Sequence, residues 1–313
     1  MSKKILILIV GLVVAAGAYA SAVSALEKRM ARAVREAGIA VQAVSVRPAW
    51  GSLLRGHLGA ELELKAPEIS LRWSKENLSG LTLKPLRAVR GGGIPVVQLR
   101  VWEGKASLLD QTVSPEVAWE FERLALTAQF DWKSRKCVFE GTGALVGDGA
   151  GEKGHLKVDG SAVLPRGPVD ATVRLTHGQA GDLAPYVRQV LGAAPSHGAV
   201  EVVSRVTLHG GVLMTHNDVT ATGLTFPTNE PTVLGPDGNR LVQLLLDREG
   251  KTHLGFIVTG EVGKGLDWSD LAAGAMREAV QQAMARGIQR VLTDTEQQPV
   301  EDAVRRGLDS LGR

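Results

Sequence analysis

From His155 to Thr176 the chain alternates apolar and polar residues through two runs with a turn between them. Leu156, Val158, Ala162 and Leu164 hold one parity, and His155, Lys157, Asp159, Ser161 and Val163 hold the other. After Pro165, Arg166, Gly167 and Pro168, the residues Val169, Ala171, Val173 and Leu175 resume the pattern against Asp170, Thr172, Arg174 and Thr176. Side chains of an extended strand point to opposite faces in turn, so this spacing predicts a β-hairpin with one apolar and one wet face. The same period of two recurs from about residue 40 to residue 261, which restricts the chain to a long antiparallel sheet.

Ala40 to Val46 predicts a short strand, with Pro48-Ala49-Trp50-Gly51 as a turn. Leu58, Ala60, Leu62 and Leu64 alternate with Gly59, Glu61, Glu63 and Lys65, and Ile69, Leu71 and Trp73 follow Pro67. Leu81 to Leu86 is a further strand candidate, and Arg90-Gly91-Gly92-Gly93 reads as a flexible connection. Val97, Leu99 and Val101 predict one strand, a turn around Gly104, and a return through Ala106 to Leu109. Val117, Trp119 and Phe121 share one parity, whereas Leu124, Leu126, Ala128 and Phe130 take the opposite one. The face therefore switches near Glu122-Arg123, which a β-bulge or a break between two strands would achieve. Lys136 to Leu145, Gly198 to His209, Val212 to Phe226 and Leu241 to Asp247 complete about twelve strands, with Pro231 to Gly238 as a loop. At ~4.8 Å per strand they would extend ~55 to 60 Å in one sheet. The 37 glycines fit the bulges and bends of a curved sheet.

At the N-terminus, Lys3 and Lys4 precede an uncharged run from Ile5 to Leu26, about 22 residues, long enough at ~1.5 Å each to cross a ~30 Å hydrocarbon layer. A membrane anchor over 5–26 is the first reading. A cleaved secretory signal is the second, because Ala18-Tyr19-Ala20 fits the small-x-small cleavage pattern. Either one exports the rest of the chain, although Lys28, Arg29, Arg32 and Arg35 after the run keep the positive-inside rule from fixing the orientation. Val23, Leu26, Met30, Ala33, Val34 and Ala37 follow helical spacing up to Gly38, so an amphipathic helix over 27–38 continues from the run. Its arginines face lipid headgroups in one reading, and its apolar stripe packs on the edge of the sheet in the other.

At the other end, Trp268, Leu271, Ala272, Ala275, Met276, Val280, Ala283, Met284, Ile288 and Val291 keep helical spacing, with Asp267 or Ser269 as cap candidates. Pro299 starts a second helix through Val300, Val304, Leu308 and Leu311. These helices, over 263–313, close the end of the sheet or dock on a membrane or partner. The domain layout read from the chain is a tail at 1–4, the anchor, the amphipathic helix, a β-sheet domain over 39–262 and the C-terminal helices.

Three motifs inside the sheet resemble the AsmA-like proteins of Gram-negative envelopes and, within them, the DUF748 group. Val101-Trp102-Glu103-Gly104-Lys105-Ala106-Ser107-Leu108-Leu109-Asp110, with Val113, Pro115 and Leu124, resembles a glycine-containing strand pair ending in aspartate. Asp182-Leu183-Ala184-Pro185-Tyr186-Val187 resembles a short helical insertion between strands. Leu244-Leu245-Leu246-Asp247-Arg248-Glu249-Gly250, then Leu254, Phe256, Val258 and Gly260, resembles a late hairpin before a C-terminal helix. The resemblance implies a groove or half-barrel on an inner-membrane anchor, with the bulk of the chain in the periplasm. It also implies a role in envelope biogenesis, with phospholipid acyl chains held or moved along an apolar groove. Under that reading the lining candidates are Leu58, Leu62, Leu64, Leu156, Val158, Val169, Val173, Leu175, Val202, Val206, Leu254, Phe256 and Val258. A closed core of the same residues is the competing reading, and a scaffold for an envelope protein partner is the competing function.

No reaction is legible in the residues. The seven histidines are scattered without the spacing of a zinc protease, and Gly141-Thr142-Gly143 with Gly147 leads into Asp148-Gly149-Ala150-Gly151 rather than a helix. Glu61 and Glu63 share a strand face, as a charged outer face would. The lone Cys137 excludes an intramolecular disulfide and a multi-cysteine zinc site and reads as a small buried apolar residue. A net charge of +3 without a long basic block gives nucleic-acid binding little support. The expectation is a non-enzyme without metal or cofactor.

Overall fold

The computed structural model describes residues 21–36, 38–49, 59–74, 78–79, 96–147, 152–164, 167–227, 238–247, 249–261 and 270–289. The fold is mainly β: one 12-stranded open sheet, mostly antiparallel. Its strands are β1 (Ala43–Pro48), β2 (Ala60–Lys65), β3 (Glu68–Trp73), β4 (Leu78–Ser79), β5 (Val96–Asp110) and β6 (Val117–Asp131). They continue as β7 (Lys136–Val146), β8 (Glu152–Val163), β9 (Val169–Gln179), β10 (His197–His209), β11 (Val212–Thr225) and β12 (Lys251–Glu261). The main path runs β1-β2-β5-β6-β7-β8-β9-β10-β11-β12, with β3 and β4 off it. The chain divides into two compact units. The first holds the residues up to Thr176 with Arg205–Met214 and Gly260–Asp267, and the second holds His177–Ser204, Thr215–Thr259 and the residues from Trp268 onward.

In the first unit β6, β7, β8 and β9 form an antiparallel meander, and the hairpin expected over 155–176 is present, pairing Leu156 with Leu175 and Val158 with Val173 on one face. Pairing is not antiparallel throughout. β2 and then β3 run parallel to successive halves of β5, and the short kink at Ala66 and Pro67 lets β3 continue in the direction of β2. The turn expected around Gly104 is absent: β5 is a single strand of 15 residues. The two parities seen there come from an extra residue rather than a reversal.

That extra residue belongs to a line of irregularities crossing three neighbouring strands. Ala66, Glu103 and Arg123 have φ of 47, 55 and 52°, the left-handed region that non-glycine residues avoid. The pairing of β5 with β6 slips between Val101 and Gly104 and again between Gly104 and Ala106. Glu103 is the surplus residue on one strand and Arg123 on the other, so the two bulges cancel and the register beyond them is unchanged. Each bulge also flips the parity of its strand, which keeps Leu99, Val101, Ala106 and Leu108 on the same face as Phe121, Leu124 and Leu126. The sequence's face switch at Glu122-Arg123 is thus a bulge within one strand, β6. Gly104 sits where a Cβ would crowd Pro67, Leu124 and Val101 at 3.2 Å. Across the wet face of the bulge line, Lys105 Nζ donates to Glu122 Oε1 at 2.6 Å. That bond and the opposite charge raise the lysine above its ordinary range and lower the glutamate.

A helix over 21–36, α1, covers the β1, β2 and β5 end of the apolar face. Val23, Leu26, Met30 and Val34 form one core with Val46, Ala60, Leu62, Leu64 and Val96. Full burial of such a side chain is worth ~1.5–3 kcal/mol, so four of them hold the helix firmly. The predicted amphipathic stripe is therefore used on the sheet, and on its face rather than its edge. Val23 and Leu26, which belong both to the end of the uncharged run and to the stripe, are 6% and 3% exposed in this core. Among the described residues no helix is long and apolar enough to cross a membrane, and residues 1–20 lie outside them.

In the second unit a 3-10 turn (Ala180–Leu183) leads into α2 (Ala184–Leu191), which stands between β9 and β10 where the sequence reading expected a helical insertion. Gly192, at φ 77°, closes α2 through its N–H to the Arg188 carbonyl. The segment Leu241 to Asp247 is not a strand. Leu241 to Leu245 belong to α3 (Gly238–Leu245), so the late hairpin has a helix for its first arm, which meets β12 through a Leu246–Thr252 bridge and hydrogen bonds between Asp247 and Lys251. Val242, Leu245 and Leu246 stand at helical spacing and pack with Phe226, Val190 and Val280, and a short apolar run does not separate strand from helix by itself. A last helix over 270–289, α4, carries Val280, Met276 and Met284 into that core. Its cap candidates, the second C-terminal helix and Leu81 to Leu86 lie outside the described residues. Arg277 of α4 donates to the carbonyls of Val190 and Gln189 at the C-terminal end of α2, at 3.2 and 3.4 Å.

Candidate functional site

The lining candidates fall into two environments. Leu62 and Leu64 are buried beneath α1, Val202 packs against the core of Ala180, Val200 and Ala221, Leu254 packs against the core under α4, and Val258 is 6% exposed. These five are core residues. Leu58 lies outside the described residues, and Val206 and Phe256 are half-buried. Leu156, Val158, Val169, Val173 and Leu175 are also half-buried, but they belong to none of the three hydrophobic cores.

Those five share a face with residues that the sequence reading did not single out as lining. Following the register across the meander, Leu126 lies beside Gly141 and then Val158 and Val173, and Ala128 lies beside Phe139, Gly160 and Ala171. Phe130, Cys137, Ala162 and Val169 make the next row. Glycine alternates with large side chains for a steric reason. A Cβ at Gly143 would strike Leu124, one at Gly141 would sit 3.0 Å from Leu126 Cδ1, and one at Gly160 would sit 2.8 Å from the Phe139 ring. The neighbouring side chains occupy the space each glycine leaves, so the face is a continuous apolar surface. Cys137 contributes to it, 7% exposed, with burial pushing its thiol up. The opposite face is wet: Glu140, Asp159 and Thr172 form one row, Arg174 pairs with Asp159 at 3.0 Å, and Glu61 and Glu63 pair with Arg100 and Arg47. The small–large pairing was legible only with the register in hand.

The polar constellations are sparse. In the second unit His253 stands between Asp247 and Thr220, with Nε2 3.1 Å from Asp247 Oδ2 and Nδ1 3.1 Å from Thr220 Oγ1. The order resembles a nucleophile, base and orienting carboxylate, but His253 is exposed on β12, so water is not kept from the group. Asp247 also accepts from the backbone N–H groups of Lys251 and Glu249, which lower its carboxyl below the usual range, and His253 lowers it further. This network fixes the α3–β12 turn. The other described histidines, 155, 177, 197, 209 and 216, are exposed. Among the described residues no three His, Cys, Asp or Glu side chains are grouped to hold a metal ion. A cavity of about 230 Å³ lies in the first unit between α1 and β1, lined by Glu27, Lys28, Ala31, Arg35 and Val41 to Val44.

Comparison with family models, curated proteins and solved structures finds no match to this chain.

Proposed function

We propose that the first unit holds the acyl chains of phospholipid on the apolar face of β6 to β9, as an exported component of a Gram-negative cell envelope. The observation that carries this reading is the set of half-buried apolar side chains, Leu156, Val158, Val169, Val173 and Leu175, that no described helix covers. Elsewhere in the same unit the apolar face is sealed by α1, so among the described residues this half-buried stretch without a helix over it is an exception. Large contiguous apolar surfaces on exported domains mark binding of lipid or partner. Strands of 11 residues, such as β9, run ~36 Å, and each methylene laid against them contributes ~0.8 kcal/mol. The ligand class this suits is long, flexible and featureless, because the face offers area and no directional polar group. A bent sheet would deepen the face into a groove, and the line of bulges supplies a bend. The N-terminal uncharged run supports export, and the three family-like motifs support the envelope.

The test is mass spectrometry of lipids extracted from the purified full chain and from a Val158→Asp, Val173→Asp variant that keeps its far-ultraviolet circular dichroism. Phospholipid on the native chain and none on the folded variant is the expected result. A native chain that stays lipid-free after incubation with vesicles ends the lipid reading, and a stable protein partner would then point to a scaffold.

A further inference from the structure

We propose that the cavity between α1 and β1 binds the phosphate headgroup of an anionic amphiphile, with Lys28 and Arg35 as its cationic walls. The inference rests on the lipid reading above for the choice of phospholipid, but its site lies under a different helix and its residues are different ones. Lys28 and Arg35 stand seven positions apart on α1, two turns and ~10.5 Å along the axis, and both line the cavity. Both are exposed and neither forms an ion pair among the described residues. The one carboxylate in the wall is engaged, since Glu27 Oε2 accepts the backbone N–H of Val46 at 3.2 Å. That bond turns Glu27 toward β1 but leaves its charge in place, so the wall carries two cations against one carboxylate, a net positive charge of one. The floor of the cavity is uncharged: Ala31, Val41, Ala43 and Val44 are apolar, and Val41 and Val44 pack onto the core beneath α1. Gln42 adds an amide able to donate or accept.

Two separated cations around an apolar floor suit a ligand with a charged oxygen cluster joined to hydrocarbon. Guanidinium offers a fork matched to phosphate oxygens and ammonium a compact charge, so the pair can hold a phosphodiester from two sides. At about 230 Å³ the cavity has room for a headgroup and the first carbons, not for whole acyl chains. A free phosphate shares the anionic chemistry but leaves the floor unused.

The experiment measures binding of dihexanoyl phosphatidylglycerol to the full chain by calorimetry, with dihexanoyl phosphatidylcholine and inorganic phosphate as separate titrants. The Lys28→Gln, Arg35→Gln variant is expected to weaken phosphatidylglycerol binding by about tenfold or more, as loss of charge-assisted bonds implies. Arg32→Gln, exposed on the same helix but outside the cavity, should leave it within about twofold. Wild-type affinity in the double variant overturns the site. So does an equal loss in Arg32→Gln, which would mean a diffuse basic surface, and so does inorganic phosphate binding as tightly as the lipid. The Val158→Asp, Val173→Asp variant separates the two readings. If it abolishes lipid retention while the Lys28, Arg35 variant binds as wild type, the acyl face stands and the headgroup site falls, and the reverse pattern does the opposite.

Discussion

At the scale of single residues, glycines with the same name do different work. A Cβ at Gly160 would meet the Asp170 carbonyl at 2.5 Å and Ala171 Cα at 2.8 Å, both backbone, which cannot swing aside. At Gly255 the nearest atom is Asp218 Oδ1 at 3.5 Å, an ordinary contact. Gly160→Ala is therefore expected to cost ~1–3 kcal/mol through strain, whereas Gly255→Ala should be neutral or gain a few tenths by stiffening the unfolded chain; denaturant titrations of both variants check it. Nothing in the local sequence distinguishes the two, because the atoms that crowd Gly160 belong to β9 and β7. Asp247 gives a pH prediction. Its carboxyl is lowered in the folded chain by the Lys251 and Glu249 N–H groups and by His253. A depressed folded value means stability that is present above the unfolded carboxylate range, about pH 4, and lost as pH falls through the folded value. Thermal melts between pH 5 and pH 2 should show a shallower decline for Asp247→Asn than for the wild type.

At the scale of elements, the sequence carried the bulges but not their alignment. The parity changes after Leu64, after Val101 and between Phe121 and Leu124 are all visible in the chain, yet only pairing shows that they lie side by side and compensate. A turn and a bulge leave the same mark when one strand is viewed alone, so the pattern around Gly104 suits a reversal as well as it suits a bulge. Compensation has a measurable consequence. Deleting Glu103 alone slips half of β5 by one residue and turns its apolar side chains to water, and deleting Arg123 does the same to β6. Deleting both restores the β5–β6 match. The double deletion should be more stable than the two single effects added together, with a coupling of ~1–3 kcal/mol in a mutant cycle. Simple additivity would mean that the bulges are independent. Helices were legible in amphipathic pattern, as for α1 and α4, and illegible where the apolar run was short, as for α3. The close approach of α4 to α3 depends on Gly287, where a Cβ would collide with the Leu244 carbonyl. Gly287→Ala should push the two helices apart and lower the melting temperature, although alanine is the better helix former; Gly274→Ala, in open space on the same helix, should raise it slightly.

At the scale of the whole molecule, the sequence settled that an apolar face exists and could not settle what lies on it. Period-two spacing is the same whether a strand is sealed by a helix, as at Leu62 and Leu64, or half-buried with no described helix over it, as at Val158 and Val173. Cover comes from helices remote in sequence, and its presence is decided by length and placement rather than by any residue of the strand. The proposed lipid-binding stretch makes a thermodynamic prediction that needs no knowledge of a biological role. A ligand that binds only the folded chain adds RT ln(1 + [L]/Kd) to its stability, ~2.7 kcal/mol at a hundredfold excess over Kd. Phospholipid should accordingly raise the melting temperature of the full chain in a dose-dependent way. Val158→Asp, Val173→Asp should abolish the rise, because two carboxylates set directly opposite each other in the β8–β9 ladder place charge in the middle of the hydrocarbon surface. Leu62→Ala, by contrast, removes a sealed core residue: it should lower the starting melting temperature, at a cost of ~2–5 kcal/mol, and leave the lipid-induced rise intact. Equal loss of the rise in both variants would show that lipid responds to stability in general rather than to the proposed lipid-binding stretch.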